Sequence, residues 1–306
     1  MALSLYDLAV LNRADEYTGL IEDVTNLAPE FSVISAHPRK GTFYEVAKRT
    51  ALPTAQFRNA NAGVAPSQST FKKEVKEMFL VEIQLKIDEA VVKADPSNVG
   101  ALWQLEAMGA MQAASILIGQ QTYYGTSADS GGFTGVRAQL AATVAAGGTT
   151  NSTSAYLLNM DPNQGVRYDV GVDGSFSISA PRIQTVTDPA DSTKVFSAYV
   201  GNLNAWIGYN QLSNLAAWAV TGVDSSHKFT DANASQLVSA IPAMRRGNLR
   251  WFINRSSEYY LTSSRTAIGY QAADAGGRAA FSPLANQCVG YPITITDSIL
   301  DTETNS

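Results

Sequence analysis

Val81-Glu82-Ile83-Gln84-Leu85-Lys86-Ile87-Asp88 alternates apolar and polar residues without a break. Period two with one apolar face is the pattern of a half-buried antiparallel strand. Asp95-Pro96 follows, and a slim run continues to Gln121. Asp95 suits a helix N-cap, and Pro96 suits the first helical position, where a missing N–H has no helical partner to lose. The spacing predicts a helix over 96–121, at 1.5 Å per residue about 39 Å long. Leu102, Leu105, Met108 and Ile116 suggest its apolar face, and Ala107, Gly109, Ala110, Ala113 and Ala114 keep it narrow. A strand running into a long slim helix, with strand-like and turn-rich sequence beyond, points to an α+β fold.

Upstream, Thr42–Arg49 reads as a strand and Asn59–Ser67 as irregular loop, so 42–88 reads as a long two-stranded excursion with a loose tip. An isolated hairpin is marginal in water and needs something to lean on. Leu5, Leu8, Leu11, Leu20, Ile21, Val24 and Leu27 have helical spacing, closed by Pro29, but form no core of their own. Downstream of the helix lies the Gly-rich stretch Tyr123–Gly135. It follows a helix and lacks Gly-Lys-Ser/Thr, so it does not match a phosphate-binding loop. Asp173-Gly174 predicts a hairpin turn between 168–172 and 175–178. Val195–Val200, Ala205–Tyr209 and Leu249–Ile253 read as strands, Thr230-Asp231 opens a helix, and Ser256–Thr262 is a short helix. Gly290–Asp297 is an extended edge segment, since Pro292 cannot serve a central ladder.

The 306 residues carry 22 Lys+Arg against 27 Asp+Glu, a net charge of −5, and only 16% are charged. Ordinary domains run nearer 25%. Residues 1–100 hold 11 basic and 13 acidic groups, while 101–200 hold only 4 and 7. Composition alone fits a hydroxyl-rich β domain first, and otherwise a surface covered by protein partners. An acidic chain with no basic block is not a typical nucleic-acid reader. One cysteine excludes a disulfide framework, and no apolar run is long enough to cross a membrane.

Catalytic chemistry is hard to place. Gly-x-Ser-x-Gly, His-Glu-x-x-His and Cys-x-x-Cys are missing from the sequence. His37 and His227 read as loop or surface histidines, and Cys288 as a buried strand thiol. Asp161, Asp169, Asp173, Asp188 and Asp191 read as turn formers rather than calcium ligands. No enzyme activity, catalytic residue, cofactor or metal is expected. Arg39, Lys40, Lys48, Arg49, Arg58, Lys72, Lys73 and Lys76 gather on the predicted hairpin. They either keep its edges soluble or pair with acidic patches on neighbouring subunits. Asp15, Glu16, Glu22 and Asp23 are the acidic candidates, and Arg49, Arg58, Lys72 and Lys73 the basic ones.

Four stretches, in order along the chain, resemble one family. They are Asp15-Glu16 through Gly19-Leu20-Ile21-Glu22 to Ala28-Pro29-Glu30-Phe31, then Thr50–Ser67, then Tyr124-Gly125-Thr126 through Phe133-Thr134-Gly135-Val136, then Cys288–Ile299. Together they resemble the GP7-like major capsid proteins of tailed bacteriophages, with the HK97-type fold. The resemblance implies an N-terminal arm (1–40), an extended hairpin loop (41–92), and a peripheral domain (93–159) with spine helix 96–121. It further implies an axial domain (160–285) and a return to the peripheral domain (286–306). The implied function is a coat protein that assembles through pentamers and hexamers into an icosahedral shell around double-stranded DNA, without sequence-specific DNA binding. The implied partners are further copies of itself, a portal and a possible decoration protein. Because the chain starts directly with the arm, scaffolding is expected from a separate protein. Self-crosslinking through Lys72 or Lys73 is not expected. The implied place is the virion, after assembly in the host bacterial cytoplasm, with no membrane contact. The alternatives are an encapsulin-like compartment shell, or a β-rich carbohydrate-binding protein using Trp206, Trp218 and Trp251.

Overall fold

The computed structural model describes residues 26, 28–94, 99–172, 176–188, 190–265 and 286–304. A short helix α1 (Glu30–Val33) leads to β1 (Ala36–Pro38), then to β2 (Phe43–Ala51), β3 (Thr70–Glu77) and β4 (Phe79–Asp88). Helices α2 (Glu89–Ala94) and α3 (Val99–Tyr124) follow. Next come β5 (Ala142–Ala145), β6 (Thr153–Asn159), β7 (Val166–Val170), β8 (Ser177–Ile178) and β9 (Arg182–Thr187). Then β10 (Val195–Gln211), β11 (Ala217–Val223), α4 (Asp231–Ser239), β12 (Leu249–Ile253) and α5 (Arg255–Ser264). The chain ends on β13 (Gln287–Cys288) and β14 (Tyr291–Ile295).

Two six-stranded sheets and one two-stranded ribbon result. The first sheet runs β1-β7-β10-β4, with β8 and β9 also on β10. The second runs β13-β14-β12-β6-β11-β5. β2 and β3 pair only with each other, from Phe43↔Glu77 outward. Residues 52–69 beyond them are without regular strand or helix, as the Pro and Asn content of the loop predicts.

The alternation over 81–88 holds, but its partner differs from the expected one. β4 leaves the hairpin and pairs antiparallel with β10 over ten residues, Phe79↔Ile207 to Asp88↔Ala198. Val81, Ile83 and Leu85 turn towards α3, while Glu82 and Gln84 face solvent. The excursion is therefore 43–77, and 79–88 belongs to the body. The predicted strands 195–200 and 205–209 are one 17-residue strand. That length also overturns the predicted 168–178 hairpin. β7, β8 and β9 each take a different stretch of one edge of β10, at 207–211, 203–204 and 195–200. The Asp173-Gly174 turn itself lies outside the described residues, as does the Asp95-Pro96 helix start.

α3 packs along the first sheet through a strip of small side chains. Ala107, Ala110 and Ala114 are buried against Leu85 and Leu203. Met108, expected on the apolar face, is 67% exposed, because the alanine strip lets the backbone come close on the opposite side. The helix continues to Tyr124, three residues past Gln121. It stops at Gly125, where φ is +58° and a Cβ would strike the backbone of Gly135. Both conditions need glycine.

The two sheets share one core. Tyr123, Tyr156, Tyr168, Tyr209 and Phe252 meet between them. A second core lies on the other side of the second sheet, where Trp218, Trp251 and Phe229 pack against Leu237 of α4 and Leu261 of α5. β6, buried along its whole length, is central to both. The predicted boundary at 159/160 cuts between β6 and β7, yet β6 pairs with β11 and β12 from beyond it. The sheets are assembled from distant segments, so units divided by sheet do not follow sequence order.

Candidate assembly interface

The root of the hairpin is fixed by a buried carboxylate. Asp169, in the middle of β7, is fully buried. Tyr44 donates to its Oδ2, and Asn210 donates to the same oxygen at 2.5 Å. Arg39 lies 3.4 Å and Arg167 3.1 Å from Oδ1. Arg167 also donates to the Tyr44 hydroxyl at 3.0 Å, and the Arg39 guanidinium sits 4.8 Å above the Tyr44 ring. Burial, reinforced by the Asp169 hydrogen bond, pushes the Tyr44 phenol up to about 12. A buried charge needs partners of this kind to be tolerated. Sequence reading placed Asp169 among turn formers and missed it. Asp161, Asp188 and Asp191 do hold turns, each accepting a backbone N–H two residues on.

Outward from the root, the hairpin neutralises much of its own charge. Lys48 pairs with Glu74, Lys73 with Glu45 at 2.8 Å, and Lys76 with Glu74 at 3.3 Å. Desolvation pulls the Lys76 ammonium below its ordinary range. Arg49 lies 5.3 Å over the Phe71 ring, and Arg58 donates to Ala62 O within the tip at 2.9 Å. Lys72 has no ion-pair partner among the described residues. Of the expected contact residues, Arg49, Arg58, Lys72 and Lys73 are thus exposed along one ribbon. Asp15, Glu16, Glu22 and Asp23 lie outside the described residues.

Charge is not what distinguishes this ribbon. Phe43, Leu52, Phe57, Phe71 and Val75 are all more than half exposed, with Phe57 fully so. Large apolar side chains gathered on one projecting element mark a contact surface. Sequence reading looked for basic residues there and passed over these.

The tail ties the body together at two further buried carboxylates. Glu30 of α1 accepts from Thr296 and, at 3.2 Å, from Ser298. Burial raises the Glu30 carboxyl above its ordinary range, and these hydroxyls only partly oppose it. Glu303 accepts from Tyr124 at 2.6 Å and Ser154 at 2.5 Å, while Arg137 lies 3.7 Å away. β14 runs parallel to β12, from Trp251↔Ile293. The tail therefore joins α1, the end of α3 and the second sheet.

The described residues bring no catalytic set together. His227 Nδ1 sits 3.1 Å from Asp224 in an exposed loop. Cys288 is buried, its thiol pushed up by burial and by Asp231. Trp218 and Trp251 are core residues at 1% and 0% exposure, so the proposed sugar site with Trp206 does not exist. No group of three or more His, Cys, Asp or Glu among the described residues could hold a metal. Among them, too, no helix is long and apolar enough to cross a membrane.

A body built around a long helix, with exposed apolar residues on a projecting ribbon, marks a protein that works by contact. The family model for the major capsid protein GP7 matches residues 32–306. The chain belongs to that family: it is a major capsid protein, a structural protein of the virion shell rather than an enzyme. A chain of the bacteriophage Epsilon15 structure is 18% identical, with 99% of this chain and 97% of that one covered at a TM-score of 0.68. That likeness shows the HK97-type fold. The JBD30 procapsid (12% identity, 90% and 93% covered, TM-score 0.48) and Mycobacterium phage Adephagia (12%, 72% and 98%, 0.49) also match. No curated protein matches.

Proposed function

We propose that this coat protein closes its shell by laying the 43–77 ribbon across a neighbouring copy. The observation that carries the reading is the row Phe43, Leu52, Phe57, Phe71 and Val75, exposed on an element whose root is locked by Asp169. A rigid root with an apolar outer part is what a clasp requires: direction from the first, adhesion from the second. Each strand of β2 length reaches about 30 Å at 3.3 Å per residue. Burying one Phe side chain contributes about 1.5–3 kcal/mol. Many copies then add modest contacts into a stable shell.

In this reading the first sheet with α3 forms the peripheral unit, and the second sheet with α4 and α5 the axial unit at the capsomer centre. Pentamers and hexamers are the building blocks. A separate scaffolding protein guides closure in the host cytoplasm, and a portal occupies one vertex. A decoration protein is a further possible partner. The packaged double-stranded DNA is held without sequence recognition, because the acidic chain offers few cations to phosphate.

The test is the Leu52→Ser/Phe57→Ser double variant. Its melting temperature should match the parent within a degree or two, since neither side chain is buried. Electron microscopy should show loss of closed particles. Wild-type yields of closed particles from the variant would overturn the clasp.

A further inference from the structure

Three carboxylates are buried among the described residues: Glu30, Asp169 and Glu303. Asp169 has Arg39 and Arg167 beside it, and Glu303 has Arg137. Glu30, at 1% exposure, has hydroxyls instead. Thr296 donates to its Oε1 and Ser298 to its Oε2 at 3.2 Å, both from the tail that follows β14. From α3 the Tyr123 phenol faces it, and from β7 the Tyr168 phenol lies within its electrostatic reach. Asp297, between the two hydroxyl residues, pairs with Arg255 at 2.8 Å. No described lysine, arginine or histidine offsets a charge on Glu30. Space is short as well: a Cβ on Gly119 of α3 would come within 3.0 Å of Glu30 Oε2 and collide with Ser298 Oγ. An ionised carboxylate buried without a cation is costly, whereas hydroxyls satisfy a neutral one.

We propose that Glu30 makes the junction of α1 with the tail a proton-operated latch, closed when the carboxyl is neutral and released when it ionises. The geometry carries this. One side chain joins the first described helix to the last described segment, through two hydroxyls and without a cation. Each side of the junction is also held elsewhere. The Phe31 ring lies 5.3 Å from that of Tyr168, Ile34 is buried in the shared core, and β14 is paired with β12. Release therefore parts α1 from residues 296–298 and leaves both sheets folded. Burial lifts the Glu30 carboxyl above its ordinary range, so the latch is closed below that range and released as pH rises through the raised value. The latch is independent of the ribbon, and the clasp reading stands or falls without it.

The experiment is hydrogen exchange of the full chain, followed by mass spectrometry from pH 4 to 8 and corrected for the intrinsic rate. Two amides report on the junction. The Ile34 N–H donates to Glu30 O at 2.8 Å, and the Ser298 N–H donates to Thr296 Oγ1 at 3.0 Å. Their protection should fall as pH rises, by about tenfold for each unit of elevation of the Glu30 pKa. Protection of β6, at the centre of both cores, should stay constant. Glu30→Gln should flatten the profile at both amides. A flat profile in the parent, an unaltered profile in Glu30→Gln, or a parallel loss in β6 would each overturn the latch. If Glu30→Gln fails to fold, Thr296→Val replaces it. That change removes a donor that favours the ionised carboxyl, so the loss of protection at Ile34 with rising pH should grow. A loss equal to the parent's would contradict the proposal.

Discussion

Asp169 is the residue on which the direction of the ribbon depends. It is fully buried and surrounded by Tyr44, Arg39, Arg167 and Asn210. Asp169→Ala leaves the buried Arg167 guanidinium without its carboxylate, which costs about 3–5 kcal/mol. Denaturant unfolding of the unassembled chain checks this; a loss under 1 kcal/mol would show that the network is ornamental. Glu30 makes a different prediction. Burial raises its folded-state pKa, so the folded chain holds that proton more tightly than the unfolded one. Its stabilising contribution is complete below the ordinary carboxyl range and declines as pH rises through the raised value. Glu30→Gln fixes the protonated shape. Melting curves from pH 4 to 8 should show the parent losing stability relative to Glu30→Gln as pH rises, by about 1.4 kcal/mol for each unit of elevation. Parallel curves would contradict this. Neither residue could be singled out from sequence. Asp169 sits in Tyr168-Asp169-Val170, which reads like any strand approaching a turn, and its partners other than Arg167 are 41 to 130 residues away. Glu30 follows the proline that closes the first helical pattern, and its hydroxyl partners are more than 260 residues away.

The elements themselves were far more legible. The 81–88 alternation, the helix expected over 96–121 and the helix opened by Thr230-Asp231 are local patterns, and each survives among the described residues. What local pattern does not carry is the choice of partner. β4 looks like the return strand of a hairpin because β3 precedes it, yet its ladder is made by β10. β10 reads as two strands because Gly201, Asn202 and Asn204 interrupt its apolar run. Gly201 is small because the Trp103 ring lies over it. Of the residues expected on the apolar face of α3, Leu102 is buried, and Met108 was misplaced for a related reason. Alanine and methionine both fit a helix, and close approach to a sheet favours alanine. Ala114→Leu should therefore destabilise by about 1–3 kcal/mol through overpacking against Leu85 and Leu203. Met108→Ala, on the exposed side, should stay within about 0.5 kcal/mol. Thermal unfolding of both variants decides the matter, and equal effects would reverse the assignment of faces.

At the scale of the molecule, few charges overall and no catalytic set among the described residues take on one meaning. Among the described residues, charge is spent on fixing the ribbon root and the tail joints, not on chemistry. Phe43, Leu52, Phe57, Phe71 and Val75 expose apolar surface on the ribbon, where a lone chain gains nothing from it. The family and its order of elements were legible because four stretches lie in sequence order along the chain. The division into units was not, since the second sheet draws strands from 142–159, 217–253 and 287–295. Electron microscopy of the full chain, produced with the scaffolding protein proposed above, tests the central claim most directly. At 32.6 kDa per copy, the account predicts closed isometric particles of about 2 MDa or more, the mass of roughly 60 copies under the mass-action stabilisation that assembly provides. Fields containing only monomers, open sheets or filaments would contradict it.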